Sequence, residues 1–173
     1  MLFNSYEFLF LFLPLALGGF YFLAHRRLLQ GALWWLIGAS LFFYAWWDAH
    51  YVGLLLASMA GNFLIGRKIE ALPGKIARRP WLWSGLVLNL SLLGYYKYAG
   101  FFLATWGSWT GLTASIPQIA LPLGISFFTF TQVAYLIDAY RGETKGYTVA
   151  QYGLFVTFFP HLIAGPILNH RHV

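Results

Sequence analysis

The stretch LPLGISFFTFTQVAYLIDAYRG, from Leu121 to Gly142, decides how this sequence can fold. It is long enough to cross a bilayer, yet it carries a Pro-x-Gly pair at Pro122 and Gly124 and a carboxylate at Asp138. Proline removes a helix hydrogen bond, and a carboxylate near hydrocarbon is costly unless it faces protein or water. The stretch is therefore predicted to line a protein interior. The alternative is that Pro122 and Gly124 only start the helix and that Asp138 lies among lipid headgroups.

The composition of the whole chain indicates a membrane protein. Of its 173 residues, 60% are hydrophobic, 21% are aromatic and only 9% are charged, whereas soluble domains carry about 25% charged residues. A soluble core of this size could not bury so much apolar surface. We predict an all-α fold, a polytopic transmembrane helical bundle with broken or re-entrant and interfacial helices. Residues 1–173 would form part of one membrane domain, with roughly six membrane segments.

Apolar runs without charged residues mark the expected spans. The region from Phe101 to Gln118 is apolar but interrupted by glycines and Pro117, so it is predicted to be interfacial or re-entrant. The N-terminus lacks a basic region, so we expect the first span to be an uncleaved anchor. The expected spans are Phe8–Ala24, Leu28–Trp47, Tyr51–Gly66, Trp81–Tyr96, Leu121–Gly142 and a last one from about Val149.

The distribution of basic residues predicts an orientation. With the N-terminus outside, nine of the eleven Lys and Arg residues fall on the cytoplasmic side, and only Lys97 and Arg171 fall outside. Such a bias is the usual determinant of membrane topology. The largest basic group lies in the hydrophilic segment from Arg67 to Arg79, which is predicted to be a cytoplasmic loop. The net charge of +6 is therefore attributed to topology, and no nucleic-acid partner is expected.

A few polar residues at membrane depth are candidates for a functional site. Thr129, Gln132 and Asp138 are close enough on one predicted helix to share a polar strip. Together with His161 they are predicted to line a cavity. His161 follows Pro160 in an apolar run, and an intramembrane ionisable residue is a functional candidate by default. A hydrogen-bonded structural histidine is the competing interpretation.

Other chemistry is not indicated. The chain has no cysteine, and the spacing of His161, His170 and His172 is no familiar metal arrangement, so no metal site is expected. Residue chemistry alone leaves three classes open: a membrane enzyme, half of a transporter or channel, and a non-catalytic membrane scaffold.

Five motifs, in order along nearly the whole chain, resemble the membrane-bound O-acyltransferase family. The resemblance is nearest to its bacterial branch of the alginate O-acetylase type, which acetylates exported polysaccharide. The motifs are MLFNSYEFLFLFLP at residues 1–14, SLFFYAWWDAHY at Ser40–Tyr51, LGYYKYAGFF at Leu93–Phe102, LPLGISFFTFTQVAYLIDAYRGE at Leu121–Glu143 and FFPHLIAGPIL at Phe158–Leu168.

The resemblance implies an enzyme of the bacterial inner membrane that passes acetyl groups from a cytoplasmic donor to an exported polysaccharide such as alginate. The donor would be acyl-CoA or an acyl-carrier thioester, with no bound cofactor. The partners would be the bilayer and a polysaccharide acceptor or periplasmic acetyltransferase partners. The family's hallmark histidine lies in a later region, and His161 matches the F-P-H-L-I-A-G-P stretch instead. No catalytic residue is therefore expected within residues 1–173, which would be the N-terminal part of a longer protein, inactive alone.

Overall fold

The computed structural model describes residues 5–47, 49–110 and 121–158, and the regular secondary structure within these ranges is all helical. The all-α prediction is therefore confirmed over these ranges. The helices are α1 (Leu13–His25), α2 (Leu29–Trp47), α3 (His50–Ala71), α4 (Lys75–Leu93), α5 (Ala99–Thr110), α6 (Ile125–Arg141) and α7 (Val149–Thr157).

Three helical segments are long and apolar enough to cross a membrane: Phe8–His25, Leu29–Trp46 and His50–Ala71. The first includes a π-helical turn, Phe8–Phe12, that runs directly into α1. Large apolar side chains on these helices point outward, among them Phe10, Phe22 and Leu29. Such a broad exposed apolar surface is typical of contact with lipid or with further protein.

The basic segment from Arg67 to Arg79 is largely helical, contrary to the predicted loop. Helix α3 continues to Ala71 and α4 begins at Lys75, which leaves only residues 72–74 as a turn. The turn contains Pro73, which has no N–H to continue the helix, and Gly74, whose φ of 81° suits glycine. The charged side chains therefore extend from two helix ends.

Helix α4 also continues further than predicted. A π-helical turn at Gly94–Tyr98 joins α4 to α5 without a loop. The residues from Phe101 to Thr110, which were expected to begin a separate interfacial or re-entrant segment, instead extend this helix. The remainder of that predicted segment lies outside the described residues. Lys97 thus stands on a π-helical turn, a feature that is often found at functional positions.

Helix α6 is the centre of the bundle. Nine of its 17 residues are buried, and it packs against α4, α3 and α7. Glycines in the left-handed conformation flank it, Gly124 with φ 67° before the helix and Gly142 with φ 84° after it. Pro122 and Gly124 therefore start the helix, as the alternative interpretation held, while Asp138 is 4% exposed inside the protein.

Candidate functional site

A layer of amide side chains crosses the bundle where α3, α4 and α6 meet. Asn62 donates from Nδ2 to Oε1 of Gln132 and to the carbonyl of Ser58, the latter at 2.9 Å. Asn89 donates from Nδ2 to Oδ1 of Asn62 at 2.6 Å and to the carbonyl of Gly85 at 2.8 Å. We call Ser58, Asn62, Asn89 and Gln132 the amide layer.

The three amides of the layer are buried, and the layer joins three helices. Asn62 and Gln132 are 0% exposed, and Asn89 is 1% exposed. Ser58 completes the layer by donating its hydroxyl to Oε1 of Gln132 at 2.7 Å. Polar side chains that bond across helices stabilise membrane bundles, because the alternative is an unsatisfied group in hydrocarbon. Inter-helix hydrogen bonding thus accounts for Asn62, Asn89 and the side-chain oxygen of Gln132.

The residues predicted to line a cavity fall into different surroundings. Gln132 belongs to the amide layer, and Thr129 lies buried one turn before it on α6. Asp138 lies about 9 Å further along the helix axis than Gln132, given a rise of 1.5 Å per residue. His161 lies outside the described residues. Their shared role as a cavity lining stays a prediction.

Asp138 lies where α6 ends and the chain turns towards α7. Its Oδ1 is 4.0 Å from Nη1 of Arg141. Its carboxylate also interacts electrostatically with the phenol of Tyr147, in the segment that connects α6 to α7. Burial raises the pKa of Tyr147, and the negative charge of Asp138 raises that pKa further. The phenol of Tyr147 therefore stays neutral at physiological pH.

The turn at 72–74 and the connection between α6 and α7 meet at one end of the bundle. Nη1 of Arg78 donates to the carbonyl of Tyr140 at 3.3 Å. The hydroxyl of Thr144 donates to Oε1 of Glu70, whose other oxygen lies 3.5 Å from Nη1 of Arg67. We call this the basic end, because the basic residues of α3, α4 and the 142–148 connection gather there.

Lys97 marks the opposite end of α4 and α6. Its Nζ lies 3.3 Å from Oγ of Ser126 and 5.5 Å from the ring centroid of Tyr98. A lysine over an aromatic ring near an interface is typical of a membrane boundary. In the described part of the chain, no group of three or more His, Asp or Glu residues is placed to hold a metal.

An apolar cleft of about 350 Å³ lies between α1 and α2. Trp35 forms one wall, where its indole Nε1 donates to the carbonyl of Ala16 at 3.0 Å. The cleft suits hydrocarbon and carries no group for catalysis. Its lining comprises Phe12, Leu15, Ala16, Trp34, Trp35, Gly38, Ala39 and Phe42.

Sequence reasoning missed how the amides combine and did not single out Tyr135 or Tyr152. Asn62 and Asn89 were recognisable as polar residues in apolar runs, but nothing in their spacing links them to Gln132. The two tyrosines pack ring to ring between α6 and α7, with centroids 4.4 Å apart. Both tyrosines lie inside apolar runs, away from the aromatic residues of the membrane interfaces. This position was the signal that could have identified them as interior residues.

Similar proteins match this chain along its whole length. A peptidoglycan O-acetyltransferase from Helicobacter pylori is 37% identical over 100% of the chain and 38% of its own length. The probable alginate O-acetylase AlgI of Azotobacter vinelandii is 41% identical over 99% of the chain and 35% of its own length. The corresponding protein of Pseudomonas aeruginosa is 40% identical over 99% of the chain and 33% of its own length.

The chain spans about a third of the length of the curated relatives it matches. Neither a family model nor a solved structure matches it. The expected resemblance is confirmed by identities near 40% over 99% of the chain. The chain is thus homologous to the alginate O-acetylases and to the peptidoglycan O-acetyltransferase, proteins of the membrane-bound O-acyltransferase type, and corresponds to the N-terminal third of their length.

Proposed function

We propose that this chain is the N-terminal part of an O-acetyltransferase of the bacterial inner membrane. The enzyme passes acetyl groups from a cytoplasmic thioester, acyl-CoA or an acyl carrier, to an exported polysaccharide or to a periplasmic acetyltransferase partner. The observation that carries the proposal is the match to several O-acetyltransferases along essentially the whole chain. Their names include both peptidoglycan and alginate, so the proposal extends to the class of polysaccharide and not to one polymer.

The structure supports this proposal through the interior of the bundle. Acyl transfer to a hydroxyl requires a base near the acceptor and donors for the developing oxyanion. Donor and acceptor on opposite sides of a membrane also require a protein-lined passage. Helix α6 carries buried amide, hydroxyl and carboxyl groups along its length, and we propose that groups of this kind line the passage in the complete enzyme. We assign no catalytic base to the described residues, and His161 remains a candidate outside them.

Deleting the gene that encodes this chain is expected to remove acetyl groups from one exported polysaccharide of the host. Acetate released by mild alkali would be measured separately from the peptidoglycan and from the exported glycan fractions of the mutant and its parent. The complete gene supplied in trans is the control and should restore the lost acetate. Unchanged acetate in every fraction would count against the acetyltransferase function.

We propose that the basic end faces the cytoplasm and that the N-terminus lies outside. Arg78 and Thr144 tie two basic segments of the chain to the same end of the bundle. Ala49 lies at the opposite end of α3, a helix of 22 residues and therefore about 33 Å long. That length exceeds the hydrocarbon thickness of a bilayer, about 30 Å, so the charged last turn of α3 can lie outside the hydrocarbon.

The absence of cysteine from the sequence allows a direct test of this orientation. Cysteines introduced at the exposed positions Lys75 and Lys145 are expected to resist a membrane-impermeant maleimide in intact spheroplasts and to react after lysis. A cysteine at Ala49 is expected to react in both preparations. Labelling of Lys75→Cys in intact spheroplasts, with Ala49→Cys protected, would reverse the orientation.

A further inference from the structure

Four buried polar atoms on α6 and α7 have no hydrogen-bond partner among the residues that the structure describes. They are the hydroxyl oxygens of Tyr135, Tyr152 and Thr129 and the amide nitrogen of Gln132. Tyr135, Thr129 and Gln132 are 0% exposed, and Tyr152 is 2% exposed. Native proteins rarely leave buried polar groups unpaired, and within hydrocarbon each unsatisfied group costs several kcal/mol.

Three of these atoms lie on α6, spread along about 9 Å of its axis, and the fourth lies on α7. Thr129, Gln132 and Tyr135 follow one another at intervals of three residues along α6. Tyr152 on α7 stacks against Tyr135 with ring centroids 4.4 Å apart. Phe63 on α3 packs against both rings, with centroid distances of 6.4 Å and 5.3 Å. Tyr135 and Tyr152 therefore lie where α6 meets α3 and α7, Gln132 faces α3, and Thr129 lies buried one turn before Gln132.

The chemistry of Gln132 specifies what its partner must be. Its Oε1 already accepts hydrogen bonds from Ser58 and from Asn62. If the amide of Gln132 were flipped, its Nε2 would face Nδ2 of Asn62, and both of these atoms are donors. Its Nε2 can only donate, so it needs an acceptor. The tyrosine and threonine hydroxyls each donate and accept. Water serves all four, because it donates and accepts and bonds about three buried polar groups at once.

We propose that ordered water molecules are bound inside the bundle between α6, α3 and α7, where they bond Nε2 of Gln132 and the hydroxyls of Thr129, Tyr135 and Tyr152. The site is a water-binding site in an otherwise apolar contact. It extends the amide layer from Gln132 towards α7. It stands apart from the proposed function, because it follows from the unpaired atoms alone.

The variant Tyr152→Phe removes only the hydroxyl group. The direction in which its unfolding midpoint shifts tells whether water bonds that hydroxyl or whether it is unpaired. If water bonds the hydroxyl, the unfolding midpoint of the complete protein in nanodiscs should fall by about 1–2 °C, because a lost hydrogen bond costs about 1 kcal/mol and the shift per kcal/mol shrinks with chain length. If the hydroxyl is unpaired, its removal relieves a cost and the midpoint should rise, which would overturn the proposal. Tyr21→Phe is the matched control, because Tyr21 is 66% exposed, and no shift is expected there.

Radiolytic labelling in heavy-oxygen water tells whether the tyrosine hydroxyls bond to water or to a protein group elsewhere in the chain. Radicals formed from bound water should oxidise Tyr135 and Tyr152 despite their burial. Phe128 is 0% exposed on the same helix and should stay unlabelled. A lower midpoint for Tyr152→Phe together with labelling of both tyrosines supports the proposal. A lower midpoint without labelling would assign the hydroxyl to a protein partner and overturn it.

Discussion

Replacing Asn62 by leucine is expected to destabilise the bundle by about 2–4 kcal/mol, since each buried polar group left unsatisfied costs roughly 1–3 kcal/mol. Asn62 bonds to Gln132 and Asn89, so its loss leaves both of these amides short of partners. The effect would be measured as a shift of the unfolding transition of the purified complete protein in mixed micelles. A variant as stable as the parent would show that the amide layer does not hold the helices together.

Ser84→Ala is the control for this prediction. Ser84 lies on α4 like Asn89, but its hydroxyl only donates to the carbonyl of Trp81 on the same helix, at 2.8 Å and in an exposed position. We expect its loss to change the stability by less than about 0.5 kcal/mol, as is usual for surface substitutions.

A second comparison separates packing from catalysis in the amide layer. In a variant that replaces Asn62, Asn89 and Gln132 all by leucine, no amide is left unpaired. Replacing the partners of a buried hydrogen bond together by apolar groups is often nearly neutral. This variant should therefore recover part of the lost stability, although the Ser58 hydroxyl loses Gln132 as its acceptor. Recovery of stability without recovery of acetylation would give the layer a functional role in addition to its structural one.

Replacing Gly66 by alanine is expected to cost about 1–3 kcal/mol, the range for overpacking a well-packed core. A Cβ at Gly66 would overlap the ring of Tyr135. That ring is 0% exposed and packs against both Phe63 and Tyr152, so moving it aside would disturb both contacts. The overlap would therefore push α6 away from α3, and the unfolding transition of the variant would reveal the cost.

The same helix supplies the control. Gly53 and Gly61 also lie on α3, but a Cβ at either position meets nothing within 4 Å. Alanine there is expected to be neutral or to stabilise α3 by roughly 0.5–1 kcal/mol, because glycine is a poor helix former. Equal losses of stability at Gly66 and Gly61 would mean that the α3–α6 contact is not as close as described.

The apolar runs of the sequence predicted where helices form. They did not predict where a helix ends when charged residues follow the apolar run. The run from Leu28 to Trp47 corresponds to α2, Leu29–Trp47, because a long charge-free stretch has one stable form in a bilayer. The end of α3 lies beyond Gly66, the predicted end, because the charged residues up to Ala71 can stay helical outside hydrocarbon. Charge marks where the membrane ends, whereas the helix ends where Pro73 and Gly74 interrupt it.

The candidate site was predictable residue by residue but not as an arrangement. Gln132, Thr129 and Asp138 stood out because polar groups are rare at membrane depth. The sequence suggested one polar strip along a helix. In the structure, α3, α4 and α7 surround α6, so its polar residues meet different neighbours at different levels. Gln132 pairs with α3, while Asp138 lies beside Arg141 and Tyr147 at the basic end.

The sequence by itself determined that this chain is a helical membrane protein, because its hydrophobic content and the placement of its few charges leave no other means of burial. It also determined the ancestry, since five motifs hold their order along the chain. Only the tertiary structure decided that Asn62 forms hydrogen bonds to both Asn89 and Gln132, and that the ring of Tyr135 packs against Gly66. Such contacts join residues far apart in the chain, and they depend on which faces of packed helices meet, which no local pattern encodes.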